Sequence, residues 1–117
     1  REGLVEILHQ QPGLIVVGEA VDGEQAVQQA RELHPTTVLM DVTLPKMSGI
    51  DATRIITSEM PDVRVIALSM HSREDLARRM QEAGAIRYLL KDRPVRELVT
   101  AIYESMNIRI EPVERIQ

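Results

Sequence analysis

The stretch TTVLMDVTLPKMSG, residues 36–49, places a carboxylate directly after a short apolar run. Residues 37–40 have the composition of a strand that is buried on both faces, and Asp41 follows them. Pro45 and Gly49 come within the next eight residues and predict a turn. A strand-end aspartate commonly serves only to shape such a turn, but it can also belong to a functional site.

Outside this stretch, apolar runs alternate with segments of helical periodicity. Strands are predicted at 14–20, 36–41, 63–69 and 86–90, and helices at 1–11, 22–34, 48–60, 72–83 and 94–106. Predicted helix ends include Asp22, Ser48 and Ser72 as N-caps, Gly84 as a C-terminal stop and Pro94 in a first turn. Strands that alternate with helices imply a parallel sheet with right-handed crossovers.

Composition limits the class of protein. The chain has 117 residues and a net charge of -4, which is one domain's worth of sequence, and 44% hydrophobic but only 2% aromatic residues predict an aliphatic core. The absence of cysteine excludes disulfides and thiolate metal sites, and it fits a cytoplasmic protein. No apolar run approaches the roughly 20 residues of a membrane helix, and the mild acidity argues against DNA binding by this segment.

Three consecutive predicted strands end in polar residues, namely Asp41, Ser69 and Lys91. The carboxyl ends of parallel strands meet at one edge of a sheet, so we expect these side chains to lie together. A carboxylate can attack a phosphoryl group, an ammonium can bind the transferred oxygens, and a hydroxyl can hydrogen-bond to one of them. Each residue alone has an ordinary structural explanation, but together they indicate a site.

The segments VLMDVTLPKMSGIDATRII (38–56), VRVIALSMHS (63–72) and GAIRYLLKD (84–92) resemble the receiver domain of two-component response regulators. Residues 16–41 resemble the receivers of LuxR-type helix-turn-helix transcription regulators in particular. The resemblance covers residues 1 to about 106 and leaves 107–117 as a tail or the start of a linker. It implies an α/β fold of the flavodoxin-like (CheY-like) type, a doubly wound parallel sheet in three α/β/α layers.

The resemblance also implies roles for individual residues. Asp41 would be the phosphoacceptor, loaded by a sensor histidine kinase or a small phosphodonor, and Lys91 and Ser69 would contact the phosphoryl group. Ser69 and Tyr88 would form the switch. Mg²⁺ would bind Asp41 and the backbone carbonyl of Thr43, and Pro45 and Gly49 would shape the adjoining loop. Such a protein is not an enzyme beyond its own phosphoryl transfer and dephosphorylation.

One part of the family pattern is missing. The Mg²⁺ site also needs an acidic pair at the end of a first strand, which would precede the helix at 1–11, and this sequence has neither strand nor pair there. The missing segment would be roughly 12–15 residues, and a sheet of order 2-1-3-4-5 makes that strand central. Because neighbouring strands lie about 4.8 Å apart, we expect a gap of roughly 10 Å between the strands beside it.

Three explanations for the missing strand stay open. The favoured one is an N-terminally truncated receiver, because the chain opens at Arg1 inside an amphipathic pattern. Alternatively, NIRIEPV (107–113) replaces the strand, although Pro112 argues against a central position. The third is a degenerate receiver that acts without phosphorylation as a protein-interaction module. Arg87 is a smaller departure, because a small residue is usual before the switch aromatic.

Rival functions have weaker support. Phosphohydrolases of the haloacid dehalogenase type need a second acid two residues after the nucleophile, where this chain has Thr43. The chain has no glycine-rich nucleotide loop, and His9, His34 and His71 lack metal-ligand spacing. A homodimer could form through the last two helices, which carry Arg78, Arg79, Arg96, Leu98 and Tyr103. DNA would be bound only by a domain beyond Gln117, and we expect no membrane partner.

Overall fold

The computed structural model describes residues 2–43, 47–70 and 72–106. The elements in chain order are α1 (Glu2–His9), α2 (Gly23–Leu33), β1 (Thr37–Asp41), α3 (Gly49–Glu59), β2 (Arg64–Ser69), α4 (Glu74–Ala83), β3 (Arg87–Leu90) and α5 (Val95–Ser105). None of these helices combines the length and the apolar composition that crossing a bilayer requires.

Across the described ranges, the three strands form one parallel sheet in the order β1-β2-β3. Asp41 pairs with Leu68 in the β1–β2 ladder, and Ser69 pairs with Leu90 in the β2–β3 ladder. The carboxyl ends of all three strands therefore lie at one edge, as predicted from the alternation of strands and helices.

Helices cover both faces of the sheet. The larger core lies against α2, α3 and α4, and its fully buried side chains include Ile56, Val65 and Met80. The smaller core lies on the other face, where Leu8 of α1 and Ile102 of α5 pack with Ile66 of β2. The protein is thus a three-layer α/β/α structure, and its core is aliphatic, as the composition predicts.

Most predicted helix ends are confirmed. Asp22 caps α2 by accepting from the N–H of Gln25 at 2.8 Å, and Ser48 caps α3 through the N–H of Asp51 at 3.2 Å. Gly84 ends α4 in the left-handed region at φ 117°, which glycine adopts without steric cost.

Two helix starts differ from the prediction. The N-cap of α4 is Arg73, not Ser72, and its side chain makes no capping hydrogen bond. Arg73 instead forms an ion pair with Asp75 at 2.6 Å, so the first turn is held by charge pairing. Pro94 occupies the N-cap position of α5 and not its first turn, and its extended backbone (ψ 141°) places it one residue before the helix.

The strand predicted at 14–20 was wrong, because the structure contains no regular element there. A cavity of about 1050 Å³ separates residues 13–20 from β1. A strand is defined by its hydrogen bonds to a neighbour, and across this cavity the segment has none. The proposed replacement strand at 107–113 lies outside the described residues.

Candidate functional site

Asp41 is the last residue of β1, and both of its carboxylate oxygens have partners. Oδ1 accepts a hydrogen bond from the backbone N–H of Thr43 at 2.9 Å. Oδ2 accepts from Nζ of Lys91 at 2.6 Å. The first contact is the turn geometry expected of a strand-end aspartate, and the second joins it to another strand end. Asp41 therefore shapes the turn after β1 through Thr43 and also contacts a second predicted site residue, Lys91.

Lys91 follows β3, on the far side of β2 from Asp41. Its backbone N–H donates to the carbonyl of Ser69 at 2.8 Å, which continues the β2–β3 ladder by one residue. This bond fixes where the side chain leaves the backbone, and the chain then reaches over the end of β2. The side chains of Lys91 and Asp41 are 35% and 36% exposed, so a solvent-borne group can approach the ion pair.

Ser69 lies between these two residues in the sheet, at the end of β2. It is buried, with only 3% of its surface exposed, whereas the next residue, Met70, is 66% exposed. On β2 it stands one residue beyond Leu68, the partner of Asp41. The structure thus brings Asp41, Ser69 and Lys91 to one edge, as the sequence predicts, with the hydroxyl below the surface.

Tyr88 lies in the middle of β3, where it pairs with Ala67 of β2. It is half-buried and packs against the larger core, near the small pocket between α4 and β3. Its neighbour Arg87 points outward and forms an ion pair with Glu104 of α5 at 3.2 Å. The unusual arginine is therefore accommodated at the surface and leaves β3 intact.

The turn after β1 depends on a close approach of two backbone segments. Gly49 donates its N–H to the carbonyl of Val42 at 3.1 Å, and a Cβ at this position would lie 2.0 Å from the carbonyl oxygen of Asp41. Only glycine permits this contact, which holds the start of α3 against the end of β1. Thr43 is exposed, and Pro45 lies outside the described residues.

The described residues do not by themselves make a Mg²⁺ site. No group of three or more His, Cys, Asp or Glu side chains in the described ranges could hold a metal ion. Asp41 is the predicted metal-binding carboxylate, and Lys91 and Thr43 already donate hydrogen bonds to its two oxygens. Mg²⁺ prefers several oxygen ligands in octahedral geometry, which this arrangement does not supply.

The carboxyl groups that bridge helices at the opposite end of the sheet have lowered pKa values. A hydrogen bond from His34 lowers the pKa of Asp62, and one from Arg31 lowers the pKa of Glu59. His34 lies before β1 and Asp62 before β2, so this charge pairing is remote from Asp41. The contact is structural, because a ring nitrogen of His34 lies 3.0 Å from Oδ2 of Asp62 and joins the end of α2 to the segment before β2.

The predicted dimer face of the last two helices is only partly available. Arg78, Arg79 and Arg96 are exposed. Leu98 packs into the smaller core, and the hydroxyl of Tyr103 donates to the carbonyl of Pro12 at 2.5 Å. Two of the five residues therefore hold the domain together.

The sequence predicts that the site residues lie at one edge of the sheet, but it does not predict the direct contacts between them. Asp41 and Lys91 are 50 residues apart in the chain, and no local pattern signals their 2.6 Å contact. The role of Gly49 as a spacer against the backbone of Asp41 was also missed, because a glycine in a turn has many explanations.

Comparisons with known proteins agree with this geometry. Residues 1–103 match the response regulator receiver domain family. Over 102 residues, 87% of the chain, it is 38% identical to the transcriptional regulatory protein DegU of Brevibacillus brevis and 40% identical to the response regulator GacA of Pseudomonas protegens. The aligned regions are 43% and 48% of those proteins, so the chain spans about half their length.

A solved structure shows the same fold. The crystal structure of a LuxR-family two-component response regulator from Aurantimonas sp. superposes with a TM-score of 0.86 at 35% identity, over 99% of this chain and 89% of that one. The family is known to bind Mg²⁺ at its phosphorylation site. On sequence, fold and site geometry together, the chain belongs to the response regulator receiver domain family, with relatives of the LuxR type.

Proposed function

We propose that this chain is a phosphorylation-controlled receiver in which Asp41 accepts a phosphoryl group from a histidine kinase. The observation that supports it best is the 2.6 Å contact between Nζ of Lys91 and Oδ2 of Asp41 at the carboxyl edge of the sheet. A solvent-accessible carboxylate can act as a nucleophile toward phosphorus, and the neighbouring ammonium group can neutralise the negative phosphoryl group that the carboxylate receives.

In the proposed reaction, one oxygen of Asp41 attacks the phosphorus of a phosphohistidine. A P–O bond forms, the P–N bond breaks, and the leaving imidazole keeps the electron pair and takes up a proton. Lys91 then exchanges its bond to Oδ2 for one to a phosphoryl oxygen, and the N–H of Thr43 keeps the aspartyl group oriented. The positive charge of Lys91 then lies beside the negative phosphoryl oxygens, which keeps the charges at the site paired.

The proposed output depends on Ser69 and Tyr88. A phosphoryl group on Asp41 offers acceptor oxygens above the buried hydroxyl of Ser69, and movement of the β2–α4 connection would favour a second conformation. Tyr88 packs on the same core as α4 and would report the change to α4 and α5. A phosphorylation-dependent homodimer is the proposed active form. A transcription output domain completes the proposal, which the name of the transcriptional regulatory protein DegU supports.

The test is phosphorylation with acetyl phosphate and Mg²⁺, followed by intact-mass spectrometry. We expect one phosphoryl adduct, which Asp41→Asn removes and Asp62→Asn, a matched change at the remote ion pair, retains. Lys91→Met should lower the amount of adduct about tenfold or more, because it removes a charge-assisted hydrogen bond. An adduct that survives in Asp41→Asn would contradict the assignment of the acceptor.

The alternative is a receiver that acts without phosphorylation as an interaction module. Its supporting observation is that no group of three or more His, Cys, Asp or Glu side chains in the described ranges could hold a metal ion. Under this alternative, no adduct forms at any Mg²⁺ concentration, and binding to a partner is the same for the protein and for Asp41→Asn.

A further inference from the structure

Gly23 begins α2 at a position where the backbone does not require glycine. The described glycines with a left-handed φ are Gly13 and Gly84, so Gly23 has a backbone conformation that other residues adopt. Glycine lowers the stability of a helix relative to alanine, because it loses more conformational freedom on folding. The glycine at the start of α2 therefore needs another explanation.

The explanation is a close approach between α2 and the loop after β1. Gly23 is buried, and a Cβ at this position would overlap the carbonyl oxygen of Met47 and lie 2.6 Å from the Cβ of Met47. These atoms belong to the backbone or are attached to it directly, so they cannot turn aside as the end of a flexible side chain can. The missing side chain of Gly23 therefore lets Met47 lie directly against the first turn of α2.

The other glycines show that this contact is specific. A Cβ on Gly3 of α1 would meet no atom within 4 Å, and one on Gly18 would meet only flexible side-chain ends. Gly23 and Gly49 are the described glycines whose added Cβ would meet backbone atoms of another segment. We refer to residues 42–48 as the acceptor loop, of which 42, 43, 47 and 48 are described. The acceptor loop is thus approached by the starts of two helices, α2 and α3.

Met47 is connected to the phosphoacceptor through described residues. Two residues after Met47, the N–H of Gly49 donates to the carbonyl of Val42 at 3.1 Å. The N–H of Thr43, which belongs to the same peptide group as that carbonyl, donates to Oδ1 of Asp41 at 2.9 Å. Because a peptide group is planar and rigid, a movement at its carbonyl also turns its N–H. A displacement of Met47 would therefore change the hydrogen bond that orients Asp41.

The helix α2 is a firm support for this contact. Its first turn is capped by Asp22, which accepts from the N–H of Gln25 at 2.8 Å. Val27, in its middle, is buried in the larger core. Near its far end, Arg31 forms an ion pair with Glu59 of α3 at 2.7 Å. An added Cβ on Gly23 would therefore displace the acceptor loop and not the helix.

We propose that Gly23 is a positioning residue for the phosphoacceptor, because its contact with Met47 sets the peptide group that orients Asp41. The consequence for phosphoryl transfer rests on the proposed function. The consequence for the hydrogen bond between Thr43 and Asp41 is a property of the unphosphorylated protein. A displacement of about 1 Å near reacting atoms can lower a rate by on the order of a hundredfold, so a small shift of the loop is sufficient.

The test variant is Gly23→Ala, and its matched control is Gly3→Ala, a helix glycine with open space around it. Nuclear magnetic resonance of the 117-residue chain follows the amide proton of Thr43. Asp41→Asn gives the reference position for loss of the charge-assisted hydrogen bond. The amide proton of Gln25 reports whether α2 is still capped. The rate of adduct formation from acetyl phosphate with Mg²⁺ is followed by intact-mass spectrometry.

In Gly23→Ala, the amide proton of Thr43 should move toward its position in Asp41→Asn, while that of Gln25 stays in place. Adduct formation should slow by about tenfold or more. Gly3→Ala should change neither quantity and should raise the melting temperature, because alanine favours a helix.

An unmoved Thr43 amide proton in folded Gly23→Ala would overturn the proposal, whether or not the protein is phosphorylated. If Thr43 moves but the unchanged protein forms no adduct, the proposed function fails and the positioning contact stands.

A second variant and a contact measurement cover the case in which Gly23→Ala does not fold. Met47→Ala keeps the carbonyl and the Cβ that face Gly23 and removes only the side-chain end that packs on the larger core. It should lower the melting temperature and leave the Thr43 amide proton in place. A shift as large as in Asp41→Asn would overturn the proposal, because core packing would then position the loop. In the unchanged protein, the α-protons of Gly23 should show a nuclear Overhauser effect to Met47, and its absence would also overturn the proposal.

Discussion

The two edges of β1 lie in different surroundings. The inner edge pairs with β2 and belongs to the paired half, which we define as β1–β3 with α2, α3 and α4. The outer edge faces the open half, which we define as α1, residues 13–20 and the cavity of about 1050 Å³ between those residues and β1. Residues 14–20 and β2 are similarly apolar, yet only β2 is a strand. The difference shows that an aliphatic run becomes a strand only where a neighbour receives its hydrogen bonds.

Helices do not depend on a neighbour in this way. α1 lies in the open half and still forms from Glu2 to His9, because its backbone bonds close within the segment. Regular helices therefore form in both halves, whereas the described strands all lie in the paired half. This contrast can be tested by matched substitutions, one in each half.

Truncation of a large aliphatic side chain should give the largest difference in unfolding free energy between the two halves. Ile56 of α3 is fully buried in the paired half, and Ile15 of the open half is 82% exposed. Ile56→Ala should lower the free energy of unfolding by about 2–5 kcal/mol, and Ile15→Ala by less than about 0.5 kcal/mol. Urea denaturation measures both. Similar losses of stability would contradict the difference in burial between the two side chains.

Replacement of glycine by alanine should give the next largest difference in stability between the two halves. A Cβ on Gly49 would meet the backbone of Asp41, and one on Gly18 would meet only the side-chain ends of Gln29 and Leu33. Gly49→Ala should cost about 1–3 kcal/mol, because the backbone must move, whereas Gly18→Ala should be nearly neutral. Thermal unfolding compares them, and the phosphoryl adduct on Asp41 should fall only in Gly49→Ala. An unaffected Gly49→Ala protein would contradict the spacer role.

Hydrogen bonds between elements should show a smaller contrast. The hydroxyl of Thr57 in α3 lies 2.7 Å from the carbonyl of Ala83 in α4, and that of Tyr103 donates to Pro12 beside the open half. Thr57→Val should cost about 1 kcal/mol, and Tyr103→Phe about 0.5 kcal/mol or less, because water can replace the exposed bond. Urea midpoints report both values, and a larger cost for Tyr103→Phe would reverse the comparison.

The smallest effect concerns acid stability. The pKa of Glu59 is lowered from its usual 4.5 by a hydrogen bond from Arg31, which joins α3 to α2. A lowered carboxyl pKa contributes stability that is complete above the unfolded value and is lost as pH falls through the lower folded value. Glu59→Gln should therefore lower the melting temperature slightly at pH 6–7, and the difference should disappear below the folded pKa.

Glu6→Gln, an exposed change on α1, is the matched control in the open half. It removes a surface carboxyl group without changing the Arg31–Glu59 pair, so a loss of melting temperature that is specific to Glu59→Gln reports that pair. Because the Arg31–Glu59 pair is exposed, the effect should shrink in high salt. If the loss of melting temperature in Glu59→Gln grew toward pH 3, the lowered pKa of Glu59 would not be the source of the stability.

Much of the fold could be predicted from periodicity and caps. Asp22, Ser48 and Gly84 end helices where the sequence indicates, because caps are satisfied within a few residues. The start of α4 was misjudged because a capping serine was expected at Ser72, whereas the N-cap is Arg73, whose side chain pairs with Asp75 and makes no capping hydrogen bond. The strand at 14–20 was misjudged because, among the described residues, no backbone segment forms strand hydrogen bonds with this apolar run.

The sequence by itself determined the alternation of elements, the aliphatic core and the assembly of Asp41, Ser69 and Lys91 at one edge, because these follow from local periodicity and parallel strand order. The tertiary structure decided which apolar runs became strands, that Lys91 contacts Asp41 directly, and that Gly49 lies against the backbone of Asp41. Those outcomes depend on contacts between residues far apart in the chain, which no local pattern encodes.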